Sequence, residues 1–140
     1  METSALRVLV VDDHADSADS LSHLLDALGC QAVPAYDAAS ALKASGTLLP
    51  QVVFLDLNLG QENGCQVLSA LRWTFPRGRE PIVVCLTGHG DPQTEAHCRQ
   101  AGFELFLMKP ISLDLLRGVL DRARERVAAQ GAGAVHQAAA

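Results

Sequence analysis

Four places in the chain set charge-handling side chains directly behind an apolar run: Asp12-Asp13 after Leu6–Val11, Asp56 after Val52–Leu55, Thr87 after Ile82–Leu86, and Lys109 after Phe103–Met108. Taken singly, an acid in such a place is often only a helix cap. Three carboxylates brought into one small volume would repel one another, raising at least one pKa, unless a cation neutralises them. Oxygen ligands of this kind select a hard divalent ion, with Mg²⁺ and several retained waters as the expected occupant. A divalent ion, an ammonium and a hydroxyl together suit a phosphoryl group in transfer, because that chemistry is mostly positioning and neutralisation of charge on the equatorial oxygens. A carboxylate can also act as a covalent nucleophile, and Asp56 stands between the acidic pair and the Thr87 and Lys109 side, which makes it the expected acceptor.

For these residues to converge, the apolar runs must be neighbouring strands that end on one edge of a sheet. Leu6–Val11 lacks helical spacing, is rich in Val and stops at Asp12-Asp13, as a strand buried on both faces does. Ala18, Leu21, Leu24, Leu25 and Leu28 then recur at helical spacing, with Asp16 or Ser17 available as N-cap and Gly29 as the stop. The alternation continues with a strand near Gln31–Ala35, a helix from Ala38 to Ala44 behind the cap Asp37, the strand Val52–Leu55, and a helix from Gly64 to Trp73. Ile82–Leu86 is the fourth strand, and Asp91-Pro92 opens a helix that Ala101-Gly102 closes. Phe103–Met108 is the fifth strand, and Ser112 caps a last helix that reaches Val127. Strands alternating with helices in this way predict an α/β fold, a doubly wound five-stranded parallel sheet with helices on both faces and ligands at the carboxyl ends of the strands. Residues 128–140, mostly Ala, Gly and Gln, offer little apolar surface to bury and are expected to form a flexible tail behind one domain spanning 1–127.

Composition narrows the function classes. The chain has 140 residues, 49% of them hydrophobic and only 4% aromatic, so its core must be built from Val, Leu, Ile and Ala. With a net charge of -5 and no long basic run, it lacks the electrostatic footprint of phosphate-backbone binding, and no direct nucleic-acid partner is expected. Cys30, Cys65, Cys85 and Cys98 match no metal-ligand spacing and read as reduced thiols acting as small hydrophobes. No cationic leader precedes an apolar run and nowhere do about 18 apolar residues follow one another, so the expectation is a cytoplasmic protein without a membrane span.

Five ordered pieces of the chain resemble the receiver domain of response regulators in two-component signalling: Val8-Leu9-Val10-Val11-Asp12-Asp13, Val52-Val53-Phe54-Leu55-Asp56, Leu86-Thr87-Gly88, Ala101-Gly102, and Phe106-Leu107-Met108-Lys109-Pro110. The resemblance runs from Arg7 to Val127 and implies a flavodoxin-like strand order 2-1-3-4-5. It implies that Asp56 is phosphorylated from a phosphohistidine on a sensor histidine kinase or histidine phosphotransfer protein. It further implies that Asp13 and Asp56 bind Mg²⁺ directly, that Asp12 acts through water, and that the backbone carbonyl of Asn58 completes the protein ligands. Lys109 and Thr87 would hold phosphoryl oxygens, Phe106 would be the aromatic switch that follows Thr87, and the Lys109-Pro110 bond would be cis. Output would pass to a downstream effector protein, and a phosphorylation-dependent homodimer is compatible with the family. The domain would be a switch with weak self-catalysis rather than an enzyme, either free-standing or part of a hybrid histidine kinase or longer response regulator.

The chain departs from the family at several points. Gly60 stands where Pro is usual and leaves the loop less constrained. Asn58 and His89 occupy variable positions beside the phosphoryl group and are expected to tune the lifetime of the phosphorylated state. His14 follows the acidic pair, but no second His lies at ligand spacing, so it reads as a helix-start residue. Arg117, Arg122, Arg124 and Arg126 read as a solvated face complementing the last helix's dipole and pairing with Asp114, Asp121 and Glu125. An aspartyl-phosphate hydrolase would need a second acid where Asn58 stands, and a flavodoxin-like cofactor site would need a Gly-rich first loop where this chain is acidic.

Overall fold

The computed structural model describes residues 5–88 and 90–139. Five strands, β1 (Arg7–Val11), β2 (Gln31–Ala35), β3 (Val52–Asp56), β6 (Ile82–Thr87) and β7 (Leu105–Met108), form one parallel sheet in the order β2-β1-β3-β6-β7. That is the expected 2-1-3-4-5 order, with an additional hairpin of β4 (Asn58–Leu59) and β5 (Glu62–Asn63) interposed after the third strand. The helices are α1 (Ala15–Ala27), α2 (Ala38–Leu48), α3 (Gly64–Leu71), α4 (Pro92–Ala101) and α5 (Leu113–Ala139), with a short 3₁₀ turn at Arg72–Thr74.

Because side chains alternate along a strand, each central strand feeds two cores. Val8, Val10, Val52, Phe54, Ile82 and Val84 pack with Leu25 of α1 and Leu116 and Leu120 of α5. Leu9, Val53, Leu55, Val83 and Cys85 face Ala41 of α2, Val67 and Leu68 of α3 and Cys98 of α4. All five residues of β3 are buried, and each fully buried Val, Leu or Phe side chain contributes roughly 1.5–3 kcal/mol. The cysteines are unpaired thiols; Cys30, Cys85 and Cys98 are buried, and the Cys85 and Cys98 Sγ atoms lie 3.7 Å apart. Burial first, then the neighbouring Cys98, pushes the Cys85 thiol up.

Helix ends follow local chemistry. The Asp37 carboxylate accepts from the Ser40 N–H at 2.7 Å, Asp91 from Thr94 N–H at 2.7 Å with Pro92 behind it, and the Ser112 hydroxyl from Leu115 N–H at 3.1 Å. Gly29 and Gly102 close α1 and α4 with φ of 91° and 111°. The start of α1 differs from expectation: its N-cap is His14, not Asp16 or Ser17, and its side chain makes no capping bond. The Asp12 carboxylate takes the His14 N–H instead, at 2.9 Å. Helix α5 continues to Ala139, past the expected end at Val127 and through most of the expected tail, since Ala is the strongest helix former. Of the Arg cluster, Arg124 pairs with Asp121 at 3.7 Å, whereas Arg122 and Arg126 reach across to Glu104, which fixes α5 to the α4–β7 connection. Trp73 is 92% exposed on the 3₁₀ turn.

Gly64, the first residue of α3, lies so close to the end of β3 that a Cβ there would stand 2.6 Å from the Asp56 carbonyl oxygen and 2.9 Å from Leu57 Cα. Gly64→Ala is expected to cost about 1–3 kcal/mol through backbone displacement. Gly46→Ala, in the interior of α2 with nothing within 4 Å, should instead stabilise by up to about 1 kcal/mol. Urea unfolding followed by circular dichroism distinguishes the two, and equal effects would contradict the close approach at Gly64.

Candidate functional site

Backbone ladders carry the strand register past the strand ends and into the site. Val11 pairs with Leu55, Asp56 with Leu86, and Thr87 with Met108, so Asp12, Asp56, Thr87 and Lys109 all reach the same carboxyl edge. Asp12 N–H donates to Ala35 O at 3.0 Å, Leu57 N–H to Leu86 O at 2.9 Å, and Lys109 N–H to Thr87 O at 2.8 Å. The Lys109-Pro110 peptide is cis.

At the centre, Lys109 Nζ lies 2.6 Å from Asp56 Oδ2 and 3.0 Å from Asp12 Oδ2. The carboxylates are deeply buried, with side-chain exposures of 8% and 4%, while the lysine keeps 33%. Isolated ions so placed would each cost several kcal/mol, and the shared ammonium offsets that. Burial pulls the Lys109 pKa down, but the hydrogen bonds to Asp56 and Asp12 outweigh it and leave the group above lysine's ordinary value. The other Asp56 oxygen, Oδ1, accepts from Asn58 N–H at 2.9 Å, so both oxygens of the expected acceptor are oriented.

Asp13 is exposed at the mouth of the site, and a Cβ on Gly60 would stand 3.4 Å from its Oδ2. Gly60 has φ 65°, which the ring of Pro forbids, and it begins the turn between β4 and β5. The loop expected to be less constrained is thus held by a short hairpin. Nothing in the spacing of polar residues announced β4 and β5; Gly60 at the turn itself was the available signal.

Thr87 is 1% exposed at the end of β6. Phe106 is half-buried on the α4 side of the sheet, and its Cε1 lies 3.4 Å from where a Cβ on Gly90 would stand. Asn58 is exposed, and its contribution to the pocket in this arrangement is its backbone N–H to Asp56. His89, expected to tune the phosphorylated state, lies outside the described residues. His14, set aside on sequence, is brought to the acidic pair: its Nδ1 is 3.3 Å from Asp13 Oδ1 and 3.6 Å from Asp12 Oδ1. Gly64 was also missed, because its need for space depends on how α3 docks on β3.

The three carboxylates Asp12, Asp13 and Asp56 with the single ammonium of Lys109 leave two formal negative charges, which one divalent cation would balance. An all-oxygen carboxylate set of this kind fits a hard ion such as Mg²⁺.

An acidic pocket at the carboxyl edge of a doubly wound parallel sheet defines the class: a flavodoxin-like α/β protein with its ligand site at the strand-order reversal. The family profile described as "Response regulator receiver domain" matches residues 8–121, and the chain belongs to that family, the phosphoryl-accepting receivers of two-component systems. It is 35% identical over 111 residues to the alginate biosynthesis transcriptional regulatory protein AlgB of Pseudomonas syringae pv. tomato, covering 79% of this chain and 24% of that protein. It is 31% identical over 121 residues to the sensor histidine kinase AtsR of Burkholderia thailandensis, covering 85% of this chain and 20% of that protein. Among solved structures it is similar to NtrX from Brucella abortus, with TM-score 0.79 and 31% identity, over 92% of this chain and 29% of that one. The chain therefore spans about a quarter or less of the curated relatives named here. Among the described residues, no helix is long and apolar enough to cross a membrane.

The raised Lys109 pKa sets the pH dependence of the site. A raised folded value means that the stabilisation is fully present below lysine's ordinary 10.5 and is lost as pH rises through the higher folded value. In EDTA, Lys109→Met should unfold at lower urea than wild type, with a constant gap from neutral pH up to 10.5 and a shrinking gap above it. A gap that closes already near neutral pH would rule out the shared ammonium as its source.

Proposed function

We propose that Asp56 is the phosphoryl acceptor. The observation that carries this is the pinning of its buried carboxylate by Asn58 N–H on one oxygen and Lys109 Nζ on the other, at the centre of the sheet edge. In the reaction, an Asp56 carboxylate oxygen forms a bond to phosphorus while the bond from phosphorus to a histidine nitrogen of the donor breaks; with the donor's other ring nitrogen protonated beforehand, the electron pair left on the departing nitrogen gives a neutral imidazole beside the aspartyl phosphate. Lys109 Nζ, already within hydrogen-bond distance of that carboxylate, pairs with a phosphoryl oxygen, and the Thr87 hydroxyl donates to another. Asp12, Asp13, Asp56 and the Asn58 carbonyl would hold Mg²⁺, which when bound neutralises the charge on the equatorial oxygens.

The donor is a sensor histidine kinase or a histidine phosphotransfer protein. Movement of Thr87 toward the phosphoryl group passes to Phe106, beside Gly90 in the β6–α4 loop, and so to the surface that an effector protein reads. Asn58 and His89 tune the lifetime of the acyl phosphate, which also hydrolyses slowly without a partner and forms slowly from small donors. The setting is cytoplasmic. A second reading, a module of a longer response regulator or hybrid kinase, is favoured by the small share of each relative that the chain spans.

Incubation with Mg²⁺ and acetyl phosphate, read by intact mass, tests the acceptor. Wild type should gain one phosphoryl group, Asp56→Asn none, and wild type in EDTA none. Equal gain by wild type and variant would move the acceptor elsewhere; no gain by wild type even with a histidine kinase present would make the chain a receiver without the chemistry.

A further inference from the structure

We infer that His14 is a metal ligand, and that with Asp12 and Asp13 it forms a site for a borderline first-row divalent ion of the Ni²⁺, Co²⁺ or Zn²⁺ class, distinct in ligand set from the all-oxygen arrangement for Mg²⁺. This rests on the reading that the acidic pair holds a cation.

The argument begins with spacing. One ligand atom from each of Asp12, Asp13 and His14 lies within 4.8 Å of the others, and no other such trio of His, Cys, Asp or Glu occurs among the described residues. Two ligand atoms about 2.1 Å from one ion stand about 3 Å apart at a right angle and about 3.4 Å apart at the tetrahedral angle. The His14 Nδ1 distances of 3.3 Å to Asp13 and 3.6 Å to Asp12 are close to those values, so little rearrangement separates the trio from a coordination shell. Asp56 is outside the trio; like Asp12, which accepts from Lys109 and the His14 N–H, it accepts from Lys109 and the Asn58 N–H.

Placement of the imidazole is fixed from the backbone. His14 is the N-cap of α1, and its N–H is held by Asp12 Oδ1, so residues 12 to 14 form a tight local loop around the position between the three side chains. The ring is 77% exposed, which leaves an ion a path from solvent and room for retained waters.

Ligand type then decides the metal. Imidazole suits Ni²⁺, Cu²⁺ and Zn²⁺, whereas Mg²⁺ prefers oxygen, and affinity for nitrogen-containing sites rises toward the end of the first row. A receiver with His at this place can therefore hold two kinds of cation on a shared pair of carboxylates. Only the oxygen-only set includes Asp56, so an ion held through His14 leaves the acceptor paired with Lys109 and competes with the ion that supports phosphoryl transfer.

The test is calorimetric titration of the protein with Mg²⁺ and separately with Ni²⁺ at about pH 8, where an ordinary imidazole is neutral. Wild type, His14→Ala and His14→Gln are compared, and broadening of the His14 ring signals by paramagnetic Ni²⁺ is read in parallel. The expected result is a Ni²⁺ affinity about ten- to hundredfold weaker in both variants, with Mg²⁺ affinity unchanged within about twofold. Unchanged Ni²⁺ affinity, or an equal fall for both metals, overturns the inference, the latter because it assigns His14 to local structure. Wild type that binds neither metal overturns the cation reading of the acidic pair together with the inference. His14-dependent Ni²⁺ binding without Mg²⁺ binding supports the inference and removes Mg²⁺ from the proposed function.

Discussion

The structure turns on one electrostatic constraint: two carboxylates, Asp12 and Asp56, are buried side by side and share one ammonium. Two buried carboxylates so placed are costly without a counter-charge close by, and Lys109 has to arrive from the far side of β6 to supply it. That demand explains why the positions of the strand ends matter more than any single side chain. β1 and β3 must be adjacent so that the acids meet, and β7 must lie one strand beyond β6 at a register that lets Lys109 N–H pair with Thr87 O while its side chain reaches back.

The same constraint makes cation binding an exchange. Before any ion arrives, the pocket already holds a positive charge within 3.0 Å of both buried acids. An ion that uses Asp56 shares its carboxylate with Lys109 and weakens the hold of that carboxylate on the ammonium, which can then turn to an incoming anion. The hairpin of β4 and β5 keeps this exchange local, since Asn58 N–H holds the second Asp56 oxygen and Gly64 packs against the backbone behind it.

Much of this was legible in the sequence because strands buried on both faces write themselves as unbroken apolar runs, and the run ends mark the sheet edge. Val8 to Val11, Val52 to Leu55 and Ile82 to Leu86 are such runs, and each delivers its functional residue at the next position or two. What stayed hidden depends on distances between elements. Glu104 gives no local sign that it will be gripped by Arg122 and Arg126 more than a dozen residues away, and the clash a Cβ would meet at Gly64 exists only once α3 is docked. His14 stands at the start of α1, as its place in the sequence implied, but its approach to the two carboxylates before it is set only by the fold of the loop after β1. The extension of α5 to Ala139 was missed because burial was used as the criterion for order, while an Ala-rich segment can be helical by propensity alone.

Trp73 carries a practical consequence. It is the only indole in the chain and is 92% exposed, on the turn that follows α3, remote from the edge where Asp56 lies. Its emission therefore starts near the fully hydrated limit in the native state, and collapse of either core changes its surroundings little. Intrinsic fluorescence is close to blind to both unfolding and phosphorylation in this protein. The same exposure turns the residue into a quiet background against which an approaching macromolecule, by drying the ring, would register as a blue shift.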